Sequence, residues 1–185
     1  LEERGVEVLY LKVGADGLID LDELESMKID SSTLVSVQWV NNETGIIQPI
    51  RKIGEIVQKS SGLMHTDASQ ALGKIEINFS SMPIDFLTCT AHKIHGPQGV
   101  GAVLIKDGVK LKPLLAGGSQ EHRIRPGTEN IPGICGLGVA ARSRYVAMDQ
   151  FLQHARSLRD YLEKELIGRF DCISIVGMNS PRIGA

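Results

Sequence analysis

Residues 34–70 read LVSVQWVNNETGIIQPIRKIGEIVQKSSGLMHTDASQ, and they hold in order an apolar run, a polar loop, a helical pattern and a second short apolar run. Leu34 to Val40 is almost continuously apolar, as a strand buried on both faces should be. The loop NNETGIIQ then leads to Pro49, which suits the first turn of a helix because the N–H it lacks would find no helical partner there. Ile50, Ile53 and Val57 follow at i, i+3 and i+7, so that helix buries one face. Leu63 to Thr66 is a short strand that ends in the polar string DASQ.

The same alternation continues on both sides. Val6 to Leu11 (VEVLYL) is β-prone and stops before Gly14 and Gly17, and Asp20-Leu-Asp-Glu23 carries the capping pattern of a helix start, with Leu21 and Leu24 as its apolar face. Phe86 to Thr90 and Gly101 to Ile105 are two further strands, separated by the polar loop AHKIHGPQGV. Gly117 to Thr128 has no usable periodicity, and a loop of that length in a compact domain is more often functional than not. Helical pattern resumes from Ile131 to Tyr145, and again near Gln150 to Ile167, where Phe151, Ala155, Leu158, Leu162 and Leu166 share one face. Strands alternating with helices predict an α/β domain whose mostly parallel sheet is flanked by helices on both faces. In such sheets ligands bind at the edge where the strands end, which is where the polar motifs fall.

Composition narrows the function. Lys plus Arg (20) against Asp plus Glu (22) leaves a formal charge of −2, too balanced for a general nucleic-acid binder, and 42% hydrophobic residues can bury a core. No apolar run approaches the roughly 18 residues that would span a bilayer. Three cysteines, Cys89, Cys135 and Cys172, are an odd number without short spacing, so a disulfide framework is not expected and a reducing compartment is: the cytoplasm, or an organellar matrix in a eukaryote. Leu1 in place of Met and the unpunctuated end SPRIGA suggest a piece of a longer chain.

Several residues could carry chemistry. Thr90-Ala-His-Lys-Ile-His-Gly96 offers a hydroxyl, two imidazoles and an amine within seven residues. Most lysines are solvated charges, but one following an apolar strand and lying between two His is a candidate Schiff-base lysine, since burial and neighbouring cations expose a nucleophilic amine. Cys89, His92 and His95 form a C-x2-H-x2-H string without a fourth ligand at the usual spacing, which argues against zinc. Asp67 is either a helix N-cap or a carboxylate facing a heteroaromatic cofactor, with Gln70 three residues on reaching the same side. Asn41-Asn-Glu-Thr-Gly45 is either turn chemistry or an amide that holds a carboxylate or ring. Thr128, ahead of a helix, stands between a phosphate grip and a simple cap.

Taken together, VNNETGIIQPI, HTDASQALGK, TAHKIHGPQGVGA and RPGTEN, in that order and at these separations, resemble the cysteine desulfurases. These are pyridoxal-phosphate enzymes of the class V aminotransferase group, and NNETG with RPGTEN is similar to their NifS/IscS-like branch rather than the SufS-like one. The resemblance runs from about Val6 to Arg182. It implies the large domain of a pyridoxal-phosphate-dependent transferase of fold type I, incomplete here, over residues 1–145, with residues 146–185 as a linker helix and the beginning of the small C-terminal domain. It makes Lys93 the lysine bonded to the cofactor, pairs Asp67 with the pyridinium nitrogen and sets Gln70 on the ring's phenolic oxygen. Thr90 and His92 contact the phosphate, Asn42 lies beside the ring near the substrate carboxylate, and Thr128 reaches the phosphate of a partner subunit, which implies a homodimer.

The implied reaction converts L-cysteine to L-alanine, with sulfur passing to an enzyme cysteine as a persulfide and from there to acceptor or scaffold proteins for iron–sulfur clusters or thiolated cofactors. The family's persulfide cysteine and its carboxylate-binding arginine lie in the small domain, and its Gly-rich phosphate turn and ring-stacking His lie upstream. The chain therefore reads as the middle of a desulfurase, inactive alone, and its own three cysteines as small buried hydrophobes. The rival readings are a selenocysteine lyase, which shares these motifs, and a non-catalytic scaffold that keeps the fold for partner binding.

Overall fold

A computed structural model describes residues 2–184. Helix α1 (Leu21–Ser26) starts where the capping pattern places it: the Asp20 carboxylate accepts the N–H of Glu23 at 2.9 Å. Strand β1 (Leu34–Gln38), helix α2 (Ile50–Lys59) and strand β2 (Leu63–Asp67) form the crossover unit read from residues 34–70. Strands β3 (Phe86–Thr90) and β4 (Gly101–Ile105) follow, then helices α3 (Ile131–Val146) and α4 (Met148–Arg169).

The four strands lie in the order β1-β2-β3-β4. β1 to β3 are parallel, with Gln38 beside Asp67 and Asp67 beside Thr88, whereas β4 returns antiparallel with Gly101 beside Thr90. One sheet face carries the core. Val35, Val37, Met64 and Leu87 point from the strands into a cluster completed by Leu24 of α1, Ile50, Ile53 and Val57 of α2, and Ile84. Gly54 of α2 sits so close to the chain before β3 that a Cβ there would lie 2.1 Å from the Pro83 carbonyl oxygen.

Four expectations need correction. The sheet is not covered on both faces: among the described residues β1 alternates exposed and buried positions, leaving Leu34, Ser36 and Gln38 open. Alternation is what a sheet with one packed face requires, and the apolar run had concealed it because Trp39 and Val40, past the strand, are buried too. Val6 to Leu11 forms no strand, because no neighbouring strand pairs with it; the nearest bridge is Val13 with Ile19. Cys89 is half-buried, but Cys135 and Cys172 are exposed rather than buried. On α4, Leu158 and Leu162 of the expected apolar face are likewise exposed, and the helix buries none of its residues.

α3 packs not on a sheet face but on the turn that follows β3. Gly96 lies between Ala91 and Ala140, and Gly136 lies against Pro97, each too close for a side chain without movement. α4 follows after a single residue, Ala147, and anchors the end of the chain. Glu163 accepts hydrogen bonds from the two terminal guanidinium nitrogens of Arg182 at 2.6 and 3.0 Å, and Arg159 donates to the Ile183 carbonyl at 2.7 Å. The residues so held lie along the loop after β1: Ile47 N–H donates to Pro181 O, and Ile183 N–H to Gly45 O.

Candidate functional site

Because β1, β2 and β3 are parallel, their C-terminal ends meet at one edge. Each delivers a different polar group there. Beyond β1, the Asn41 side-chain oxygen accepts the N–H groups of Glu43 and Thr44, both at 2.9 Å, and Gly45 closes the turn with φ 71°. The two readings of this motif thus divide between neighbours: Asn41 builds the turn, and Asn42 is exposed with a side chain that joins no hydrogen bond among the described residues.

Asp67 is the last residue of β2. Its Oδ1 accepts the Ser69 N–H at 2.8 Å, while Oδ2 has no hydrogen-bond partner among the described residues. Turns rather than a helix follow it, so Asp67 is no helix cap. Gln70 lies in that turn, and its Oε1 accepts a hydrogen bond from Lys74 Nζ at 2.5 Å. Lys74 was not singled out in the sequence, although a polar pair four residues apart was its signal.

β3 ends at Thr90 and runs into a 3-10 turn, Ala91–Ile94. Residues three apart eclipse in such a turn, so Ala91 and Ile94 are both buried and His92 and Lys93 both face outward. His95 ends the turn in the left-handed region at φ 66°. The Thr90 hydroxyl and His92 Nδ1 are hydrogen-bonded at 2.9 Å. Lys93 is exposed, so burial, one of the two routes to a nucleophilic amine, is not supplied by this chain.

Thr128 stands apart from this group. It is exposed, it joins no hydrogen bond among the described residues, and the cap of α3 belongs to Asn130, which accepts the Gly133 N–H at 3.2 Å. Among the described residues no three His, Cys, Asp or Glu side chains come together as a metal site, and Cys89, His92 and His95 do not converge.

The electrostatics of the edge are cationic. Burial, then Arg144, then Lys93 hold the Lys74 amine below the usual lysine range. None of Lys74, Lys93 and Arg144 has a carboxylate within salt-bridge distance among the described residues; the Arg144 guanidinium instead lies 3.4 Å over the Phe151 ring. Burial pushes the Cys89 thiol up, a hydrogen bond from the Ala102 backbone opposes this and the Asp67 charge adds to it, so the net direction favours the protonated thiol.

On the open face behind Asp67, His65 bridges three strands. Its Nδ1 pairs with Ser36 Oγ at 2.7 Å and its Nε2 with Thr88 Oγ1 at 3.1 Å. Burial lowers its pKa and Asp67 partly opposes this, so the fold favours neutral imidazole. The unfolded chain then binds more protons than the folded one below the ordinary histidine value of about 6.5, and stability falls as pH drops through the folded pKa. Urea melts at pH 7.5 and pH 5 should show that acid loss shrinking in His65→Gln; an unchanged difference between the two pH values would exclude His65 as its source.

Known proteins share the sequence and the fold of this chain. The family model described as Aminotransferase class-V matches residues 1–182. A cysteine desulfurase of Nostoc sp. is 44% identical over 173 residues, 93% of this chain and 43% of that protein. The cysteine desulfurase IscS of Dictyoglomus turgidum is 41% identical over 182 residues, 98% of this chain and 45% of its own length. Among solved structures, DndA from Streptomyces lividans superposes with a TM-score of 0.88 at 32% identity, covering 99% of this chain and 52% of that one. A NifS-like protein gives 0.85 at 38% identity, covering 90% and 46%. The chain thus spans under half the length of these curated relatives.

Proposed function

The chain belongs to the class-V aminotransferase family, and from that membership we propose that the protein containing it is a pyridoxal-phosphate-dependent cysteine desulfurase. The observation that carries this reading is the strand-end edge, where the carboxylate of Asp67, the Thr90–His92 pair and the Lys93 amine follow β2 and β3 at one side of the sheet. Its donor set fits the cofactor. Asp67 Oδ2 has an acceptor position to spare for a pyridinium N–H, and the hydroxyl and imidazole of the Thr90–His92 pair suit a phosphate.

Pyridoxal phosphate, when bound, supplies an aldehyde that an amine can capture and a ring that withdraws electrons from the substrate α-carbon. Lys93 would hold it covalently, and its amine, when free, would carry the proton at the substrate α-carbon. Asp67 would keep the ring nitrogen protonated and so preserve the ring's electron-withdrawing power. Gln70 would donate to the phenolic oxygen, Thr90 and His92 would hold the phosphate, and Asn42 would orient the substrate carboxylate. Thr128, apart from the other groups within one chain, serves the phosphate of a second copy, so the enzyme is a homodimer.

Sulfur leaves when a protein thiolate attacks the substrate sulfur. The C–S bond breaks, the carbon fragment takes up a proton and departs as alanine, and the thiol becomes a persulfide for delivery to acceptor proteins. Cys89, half-buried and held protonated, is not that nucleophile. We place the nucleophile in the small domain, with residues 1–145 in the large one and residues 146–185 as the linker helix and the beginning of the small one.

The full-length protein reconstituted with pyridoxal phosphate and given L-cysteine should release one alanine per protein-bound sulfur. A strong preference for selenocysteine would point instead to a lyase for that substrate, and no alanine from either would leave a scaffold.

A further inference from the structure

We propose that Lys74 is a positioning residue that sets the orientation of the Gln70 side-chain amide, turning its N–H donors toward the ring oxygen of the cofactor. The inference rests on the cofactor reading above. A lysine ammonium has donors and no acceptor, so the Gln70 atom that meets Lys74 Nζ is the carbonyl oxygen Oε1. That leaves Nε2, with two N–H groups, on the other side of the amide, and it joins no hydrogen bond among the described residues. A phenolate oxygen is an acceptor. Reversed, the amide would present its oxygen to another oxygen, and the Lys74 ammonium disfavours that orientation before any cofactor arrives.

The surroundings of Lys74 support a role beyond surface charge. The residue is half-buried, its neighbours in charge are Arg144 and Lys93, and no carboxylate compensates it among the described residues. Gly73, at φ 68°, has no side chain where Arg144 Cγ would lie 2.2 Å from a Cβ, so the Arg144 side chain passes directly against the turn one residue before Lys74. A cation so placed is costly unless a negative group arrives nearby. The ring oxygen supplies one, and the run from ammonium to amide to anion lets each hydrogen bond polarise the next.

The test uses the full-length holoprotein with Lys74→Met, Lys74→Arg, Gln70→Ala and the Lys74→Met/Gln70→Ala double variant. Lys74→Met should weaken pyridoxal phosphate binding about tenfold, as loss of a charge-assisted hydrogen bond does, and should move the pH midpoint of the bound cofactor's visible band. Lys74→Arg should restore most of both. In the Gln70→Ala background Lys74→Met should have no further effect. An equal loss in both backgrounds, or a lower melting temperature with unchanged cofactor affinity, would overturn the proposal. If the wild-type protein binds no pyridoxal phosphate, the function proposed above fails instead. The contact is then decided by the Gln70 side-chain amide resonances of the unloaded protein: a shift in Lys74→Met upholds it, and no shift removes it.

Discussion

Lys93→Ala should yield a full-length protein that no longer turns yellow with pyridoxal phosphate and that releases alanine from cysteine about 10²–10⁴-fold more slowly. The same residue serves as covalent anchor and as proton carrier at the α-carbon, so one substitution removes both. Folding should be spared. Lys93 faces outward from its 3-10 turn, which is held instead by buried Ala91 and Ile94, and an exposed substitution of this kind usually changes stability by no more than about 0.5 kcal/mol. Absorbance measures cofactor retention, and borohydride reduction followed by peptide mass spectrometry locates the bonded lysine. Labelling at Lys74, the other lysine of this cationic group, or an unchanged visible band in Lys93→Ala would show that the anchor has been misassigned.

The same exchange at two helical glycines should shift stability in opposite directions. Alanine is favoured over glycine in a helix interior by about 1 kcal/mol. At Gly138, midway along α3, nothing lies within 4 Å of where a Cβ would stand, so Gly138→Ala should gain close to that amount. At Gly54 of α2 the Cβ would lie 2.1 Å from Pro83 O and 2.9 Å from Pro83 Cγ, and the oxygen belongs to backbone that cannot rotate away. α2 would have to lift from the core that Ile50, Ile53 and Val57 fill, at a net loss of about 1–3 kcal/mol. Denaturant melts of the two variants give the comparison. Similar gains at both sites would mean that α2 does not pack against Pro83 as closely as described.

The clash at Gly54 illustrates what the sequence conceals. Its neighbours Ile50, Ile53 and Val57 announce the helix and its buried face, because period 3.6 in apolar residues is a local signal. That residue 54 meets residue 83 is a long-range fact with no local trace. The ends of the molecule follow the same division. VEVLYL has strand composition and forms no strand, because a strand exists only where another pairs with it. Arg182 and Ile183, unremarked in sequence, lie along the turn that carries Asn42 because Glu163 and Arg159 hold them there.

The candidate site divides likewise. Asp67, Gln70, Thr90, His92 and Lys93 are legible because each lies within five residues of a strand end, and parallel strands bring their ends to one edge. Thr128 was legible only as a motif, and within the single chain it joins none of that edge's hydrogen bonds.

By itself the sequence determined the alternation of strands and helices, the edge at which the polar motifs gather and the chemical identity of the groups there, since hydrophobic period and motif order are written along the chain. Only the tertiary structure decided that one sheet face packs while the other stays open. It alone decided that α3 braces the lysine turn rather than the sheet, and that Lys74 meets the oxygen of Gln70. Those outcomes depend on which surfaces meet, and the free energy of burial and hydrogen bonding is settled between segments rather than within them.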